Sequence, residues 1–507
     1  MSKKYLLALF CILLAFAACR KDKQVPDERP DGQPTRVEIP PGQPAGITLS
    51  VANMLQSNMV IQRDKPFLLW GKATPGLTVN VAASWNASPL TTTADANGYW
   101  QISIPASAAN GNPQTIAVSG NNATDVTLKN ILIGDVWLCS GQSNMTMQVD
   151  AIPPFAGVLN YADEITTANY PNIRVLTAAT DYQDKPLTEF TTPGAWTICS
   201  PQTVGKFSAV AYFFAMKLQV DLNIPVGIIV ASENGSWCET WANTEVLTGA
   251  MAAYLGHGSS TLYNGMINPL LKLQLKGFIW YQGENNQHIS PVSDYTLLNS
   301  ALIKGWRDKF KQGDLPFYYV QLTPFAEDYN NTVPAGGDPN QNWLAFFREA
   351  QANIQSRVAN TGMAVTMDVG EAANHHPRNK KPVGERLALL ALRNTYGQNV
   401  ICNGPKYSYF TLNGNTATIN FAGNTADGLN TIDNQPLKQY FFVAGADRVF
   451  RKGAAVINGN TIVVTAPAET NLPIQAIRYA FTNAPVTNIQ NGAGLPMEAF
   501  RTDSWDY

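Results

Sequence analysis

Ser143 sits in the run Ser140-Gly141-Gln142-Ser143-Asn144, which interrupts an apolar, β-prone stretch formed by Ile131, Leu132, Ile133, Val136, Trp137 and Leu138. A short apolar run of this kind has the pattern of a buried parallel strand. A serine at its carboxyl end stands at the rim where open α/β sheets bind ligands. A serine hydroxyl is a weak nucleophile at neutral pH and needs an adjacent base. The chain has 4 histidines, His257, His288, His375 and His376. The last two follow the strand-like stretch 363–368, and Pro377 restricts His376 to extended backbone, so that it projects from a loop. His257 and His288 have no comparable setting and read as surface residues. A serine–imidazole pair suits attack on an acyl carbon, which also needs donors fixed where an oxyanion develops. The main-chain N–H of Ser143, the N–H of Gly235 and the side-chain amide of Gln282 are the candidates, one from each of three strand ends. Glycine at 235 lets the backbone approach a ligand closely. Taken singly, each has a plainer reading: Ser143 could cap a helix, and Gly235 could be a turn glycine.

Convergence of these residues depends on the elements that carry them. From Ile131 to about Gly397 strand-like runs alternate with longer helical patterns, which predicts a doubly wound α/β domain with a parallel sheet. The strands are 131–139, 226–231, 276–281, 317–322 and 363–368, with Ile173 to Leu176 as a weaker sixth. Phe207, Val210, Phe214 and Leu218 recur at helical spacing, as do Leu298, Leu302, Trp306 and Phe310, and both sets read as core. Parallel strands share one direction, so the polar, glycine-rich ends of these runs meet at the rim that carries Ser143. Before this region, residues 47–130 alternate apolar and polar between turn clusters such as Thr74-Pro75-Gly76 and Asp95-Ala96-Asn97-Gly98, which predicts a β-sandwich. After it, 398–507 return to period two and predict a C-terminal β domain.

With 507 residues, two or three domains are expected. Charged residues make up 14% and the net charge is −2, leaving no basic field for nucleic acid. The start, MSKKYLLALFCILLAFAAC, has two lysines, an apolar core from Tyr5 to Phe16 and small residues before Cys19, as a secretory signal too short to span a bilayer does. Phe16-Ala17-Ala18-Cys19 also resembles a bacterial lipoprotein box. Residues 1–19 are therefore read as a lipoprotein signal peptide with lipidation at Cys19, and 20–46, rich in proline, as an extended tether. The expected location is the periplasm or cell surface, with membrane contact only through that anchor. Cys139, Cys199, Cys238 and Cys402 are too few and scattered for a disulfide framework, although a pairing among them stays open. None has zinc-ligand spacing, and no metal or cofactor is expected.

Seven segments resemble a known family: GDVWLCSGQSNM (134–145), KFSAVAYFFA (206–215), IPVGIIVASENGS (224–236), LYNGMINPLL (262–271), KGFIWYQGENN (276–286), HHPRNKKPVGERLA (375–388) and GLPMEAFRTDSW (494–505). They are similar to the sialate O-acetylesterase family of SGNH-type hydrolases, and MVIQRDKPFLLWGKATPG (59–76) is similar to its N-terminal sandwich region. The resemblance implies an SGNH/flavodoxin-like domain over 131–397 and an esterase that removes acetyl groups from sugar hydroxyls without metal or cofactor. Carried over by position, Ser143 matches the nucleophile, His376 the general base, and Gly235 and Gln282 the oxyanion-hole positions. The chain departs from the pattern at two places. Asn234-Gly235-Ser236 stands where Gly-Gly-Thr is common, and Asn374 and Ala373 stand where an aspartate often precedes the histidine. A Ser–His dyad is then implied, with Asn374 or a main-chain carbonyl orienting the imidazole, unless Asp368 or Glu371 loops back. The family name points to O-acetylated sialic acid, with acetylated polysaccharide such as xylan as the alternative. The rival of another class is a surface sugar-binding lipoprotein whose catalytic machinery has decayed. Trp237, Trp241, Tyr281 and Arg378 could line a sugar pocket or serve as packing.

Overall fold

The strand Val126–Gly141 carries the architecture. Its first half pairs antiparallel with Asn110–Gly120, and Val60–Gln62 lies parallel against Leu132 to Gly134. From Asp135 onward it pairs parallel with Val226–Ser232 on one side and Gly277–Tyr281 on the other. Phe317–Val320 and then Thr361–Ala364 extend the sheet beyond Gly277–Tyr281, all parallel. Ile173–Thr177 flanks Val226–Ser232, with Thr197–Ile198 antiparallel at that edge. The strands 226–232 and 277–281 are buried along their whole length, as unbroken apolar runs should be when helices cover both faces of a sheet.

This is a computed structural model, and it describes residues 47–256, 258–326, 338–340, 342–470 and 472–505. The signal-like segment, Cys19, the tether and His257 lie outside the described residues. From Ile47 to the C-terminus the chain forms one unit.

Residues that alternate along a strand point to opposite faces. Trp137 is in register with Gly277 and Leu138 with Phe278, so Trp137 and Phe278 face opposite ways. The helix Ala209–Leu222 sets Phe214 edge-on to Trp137 at 5.1 Å, covering one face. The helix Ser293–Phe310 brings Trp306 and Phe310 to 5.5 and 5.4 Å from Phe278, covering the other. The aromatic and aliphatic residues read at helical spacing are thus core, and burying each contributes about 1.5–3 kcal/mol. Ser208 caps the first of these helices, its hydroxyl accepting from the N–H of Ala211 at 3.4 Å.

The stretch expected as strand 363–368 is instead Thr361–Ala364. The chain leaves the sheet there because Arg386 Nη1 takes the Val365 carbonyl at 2.9 Å and Met367 is drawn into the C-terminal core beside Ile419, Val443 and Tyr479. In the N-terminal region Leu49–Val51, Phe67–Ala73 and Tyr99–Ile104 form one sheet. Thr78–Ala83, Leu90–Thr93 and Asn110–Gly120 join the strand 126–141. Position 130/131 therefore falls inside a continuous strand, and Leu69, Val118, Ile131 and Leu138 share one apolar core. The C-terminal region holds two four-stranded antiparallel sheets over a second core. Among the described residues no helix is long and apolar enough to cross a membrane, and Cys139, Cys199, Cys238 and Cys402 are all free.

Candidate active site

At the carboxyl end of the central strand, Gly141 has φ of +138° and a side chain there would start 2.1 Å from the Tyr281 carbonyl oxygen. Only glycine fits, and the turn that follows is stitched to the neighbouring strand end. The Gln142 N–H donates to the Tyr281 carbonyl at 2.9 Å. The Gln142 Oε1 accepts from the N–H groups of Gly283 and Asn285, each at 3.3 Å. Ser143 then opens the helical turn Ser143–Thr146, so its own N–H has no intrahelical partner.

The hydroxyl of Ser143 lies 2.7 Å from His376 Nε2, although the two residues are 233 positions apart. The loop after Thr361–Ala364 is held in place mainly through its backbone. The His376 N–H donates to Asn374 Oδ1 at 2.9 Å, and Asn374 Nδ2 returns a bond to the His376 carbonyl at 3.0 Å. Asn374, expected along with a main-chain carbonyl as a group that orients the imidazole, bonds the main chain of His376. Glu371 accepts from Asn374 Nδ2 at 3.1 Å and from the Arg378 N–H at 2.6 Å, and Asp368 is taken by Arg386 at 2.7 and 2.6 Å. Among the described residues no carboxylate bonds the His376 ring. That ring is packed instead between Phe155, edge-on at 5.1 Å, and His375 at 4.1 Å.

Burial, then His375 and Lys380, push the His376 pKa down to about 4. The imidazole is therefore neutral near pH 7 and free to accept the serine proton. His375 is lowered as well, by burial and by Lys380.

The pair opens into a cavity of about 330 Å³ lined by Phe155, Asn234, Gly235, Asn285, Gln287 and Phe325 among others. Gly235 has φ of +63°, in the left-handed region, and its carbonyl accepts from Asn285 Nδ2. Gln282, expected to aim its amide at the oxyanion, is fully buried outside this wall. Its Nε2 donates to Asn286 Oδ1 at 2.6 Å and to the Ser236 carbonyl at 3.3 Å, and its Oε1 accepts from the Tyr295 hydroxyl at 2.9 Å, so no donor is left for a ligand. Sequence reading passed over Asn285 and Glu284, which stand in the same QGENN run and do line the cavity; nothing in the run itself says which amide turns outward. Phe155 belongs to no recognised motif. Trp241 and Tyr281 are buried packing residues, Trp237 is exposed, and Arg378 is held by the Gly157 and Val158 carbonyls at 3.0 and 3.2 Å. The His288 ring lies 4.6 Å from that of Trp343, tilted by 37°. No group of His, Cys, Asp or Glu suited to a metal occurs among the described residues.

Comparison with known proteins fixes the class: the chain is a carboxylic ester hydrolase that removes O-acetyl groups from carbohydrate. It belongs to the family described as carbohydrate esterase, sialic acid-specific acetylesterase, whose model matches residues 133–393, just over half of the chain. The sialate O-acetylesterase of Homo sapiens is 29% identical over 399 residues, covering 71% of this chain and 74% of that protein. The Mus musculus enzyme is 26% identical over 514 residues, covering 87% and 91%. Among solved structures, a carbohydrate acetylesterase from Xanthomonas citri superposes with a TM-score of 0.80 at 30% identity, covering 90% of this chain and all of that one.

Proposed function

We propose that Ser143 and His376 carry out the hydrolysis through an acetyl-enzyme, and that O-acetylated sialic acid is the substrate. The observation that carries the mechanism is the 2.7 Å contact between His376 Nε2 and Ser143 Oγ. As Ser143 Oγ bonds to the acetyl carbon, His376 takes its proton. The resulting oxyanion is met by the N–H groups of Ser143 and Gly235, with the amide of Asn285 as third donor in place of Gln282. Collapse breaks the bond to the sugar oxygen, which leaves with the proton from His376. Water then attacks the acetyl-serine, gives a proton to His376, and acetate departs as Ser143 recovers its hydrogen.

The scaffold for this chemistry is, in our reading, an SGNH-type core flanked by β domains. Counted along the chain, the parallel strands 126–141, 173–177, 226–232, 277–281, 317–320 and 361–364 lie in the order 2-3-1-4-5-6, so the winding changes direction beside the central strand, where open α/β sheets bind ligands. The choice of sialic acid is supported by the family description and by the names of the mammalian relatives. Acetate release from O-acetyl sialic acid compared with acetylated xylan tests it: faster release from the sialic acid supports the substrate, and a clear preference for xylan overturns it. Export with a lipid on Cys19 completes the proposal. Cys19→Ser is expected to move the protein from the membrane to the soluble fraction, and unchanged membrane association would refute the anchor.

A further inference from the structure

Asn144, the residue after the nucleophile, is buried, and its amide meets three segments of the chain. Nδ2 donates to the main-chain carbonyl of His375 at 2.8 Å and to the carboxylate of Glu284, while Oδ1 accepts from Lys380 Nζ at 2.5 Å. One amide thus joins an amine and a carboxyl group, and burial pushes the Lys380 pKa down to about 7 and that of Glu284 up. Lys380 is 0% exposed, its ammonium 5.5 Å from the centre of the Tyr281 ring. Glu284 Oε2 is buried without a hydrogen-bond partner among the described residues. Burying an ammonium is costly before its interactions are counted, and an apolar side chain of the same shape is often no less stable. No step of the hydrolysis above uses Lys380.

The geometry gives it a task. Lys380 precedes the helix Lys381–Asn394, which packs against Ala209–Leu222, where Gly384 lies against Val210 and Phe213. Its ammonium therefore hangs from a fixed point of the core. Asn144 hangs from another, the turn after the central strand. Between them the amide can adopt one orientation, with Oδ1 toward the ammonium and Nδ2 toward the His375 carbonyl. With Asn374 gripping the next residue, the backbone on both sides of His376 is set by side-chain amides, and among the described residues the ring has no carboxylate behind it.

We propose that Lys380 is a positioning residue for ester hydrolysis: its buried ammonium locks the Asn144 amide, and that amide, by holding the His375 carbonyl, sets the imidazole of His376 against Ser143. The proposal rests on the Ser143–His376 reading of the site. In Lys380→Met the amide is released, and with a chromogenic acetyl ester kcat is expected to fall by about a hundredfold, the order of loss that a displacement near 1 Å brings, while KM stays within about twofold. Lys380→Gln, which keeps a donor, should lose less. The two sites should not add: Lys380→Met introduced into Asn144→Ala should cause little further loss, because the clamp is already gone.

Apart from the clamp, the charge of Lys380 also acts through space on the base. The groups facing Lys380 are Glu284, Glu371, His375 and His376, and removing a positive charge from among them favours the imidazolium. The acid limb of kcat/KM should accordingly shift to higher pH in both lysine variants. Wild-type kcat in Lys380→Met or multiplicative losses in the double variant would overturn the proposal. Activity surviving in Ser143→Ala would instead overturn the reading of the site beneath it.

Discussion

Burial, His375 and Lys380 all oppose a charged imidazole, so His376 remains a proton acceptor down to about pH 4. An unperturbed histidine protonates near 6.5. In the proposed mechanism the base must be neutral to act, so the acid limb of kcat/KM is expected near the lower value, and a pH–rate profile on a soluble acetyl ester checks it. A limb at about 6.5 would mean that the imidazole is not shielded as described. Replacing His376 with alanine should reduce kcat by about 10²–10⁴-fold, the usual worth of a positioned acid–base group. At this scale the sequence was informative where local chemistry constrains a residue. Ser143 breaks an apolar run, and His376 precedes a proline. It misled at Gln282 because that residue continues directly from a strand buried on both faces, and only the fold shows its amide spent on Asn286 and Ser236.

Two glycines show how the elements serve the site. Gly141 lets the chain turn beneath the Tyr281 carbonyl, and Gly277 makes room for Trp137, whose ring would lie 2.5 Å from an added methyl group. Gly141→Ala forces a positive-φ strain and a backbone clash together. We expect a loss of stability of at least about 1–3 kcal/mol and loss of esterase activity, read by denaturant unfolding and by acetate release. Unchanged stability would contradict the turn. The strands 226–232 and 277–281 were legible because burial on both faces leaves an unbroken apolar run. The end of Thr361–Ala364 was not, since Val365 and Met367 are just as apolar as the strand before them. What removes them from the sheet is a distant partner, the second core, that no local pattern reveals.

At the scale of the molecule, the strand Val126–Gly141 belongs at once to the N-terminal sheet and to the sheet of the site. Composition suggested a boundary at 130/131 because the texture changes there, yet hydrogen bonding runs straight through. The N-terminal strands and the hydrolase sheet should therefore unfold as one cooperative unit. Calorimetry is expected to show no separate N-terminal transition, and a chain beginning at residue 131 should not fold; a stable, active truncation would contradict this. The loop carrying His376 is likewise braced from outside the hydrolase sheet, the Thr487 hydroxyl donating to the Met367 carbonyl at 3.2 Å. All of this serves to hold one hydroxyl against one imidazole. The most direct test is the rate and place of labelling by a fluorophosphonate probe, read by mass spectrometry of the intact protein and its peptides. The account predicts a single adduct on Ser143, absent in Ser143→Ala and strongly slowed in His376→Ala. An adduct on another residue, or labelling of Ser143 at an undiminished rate without His376, would contradict it.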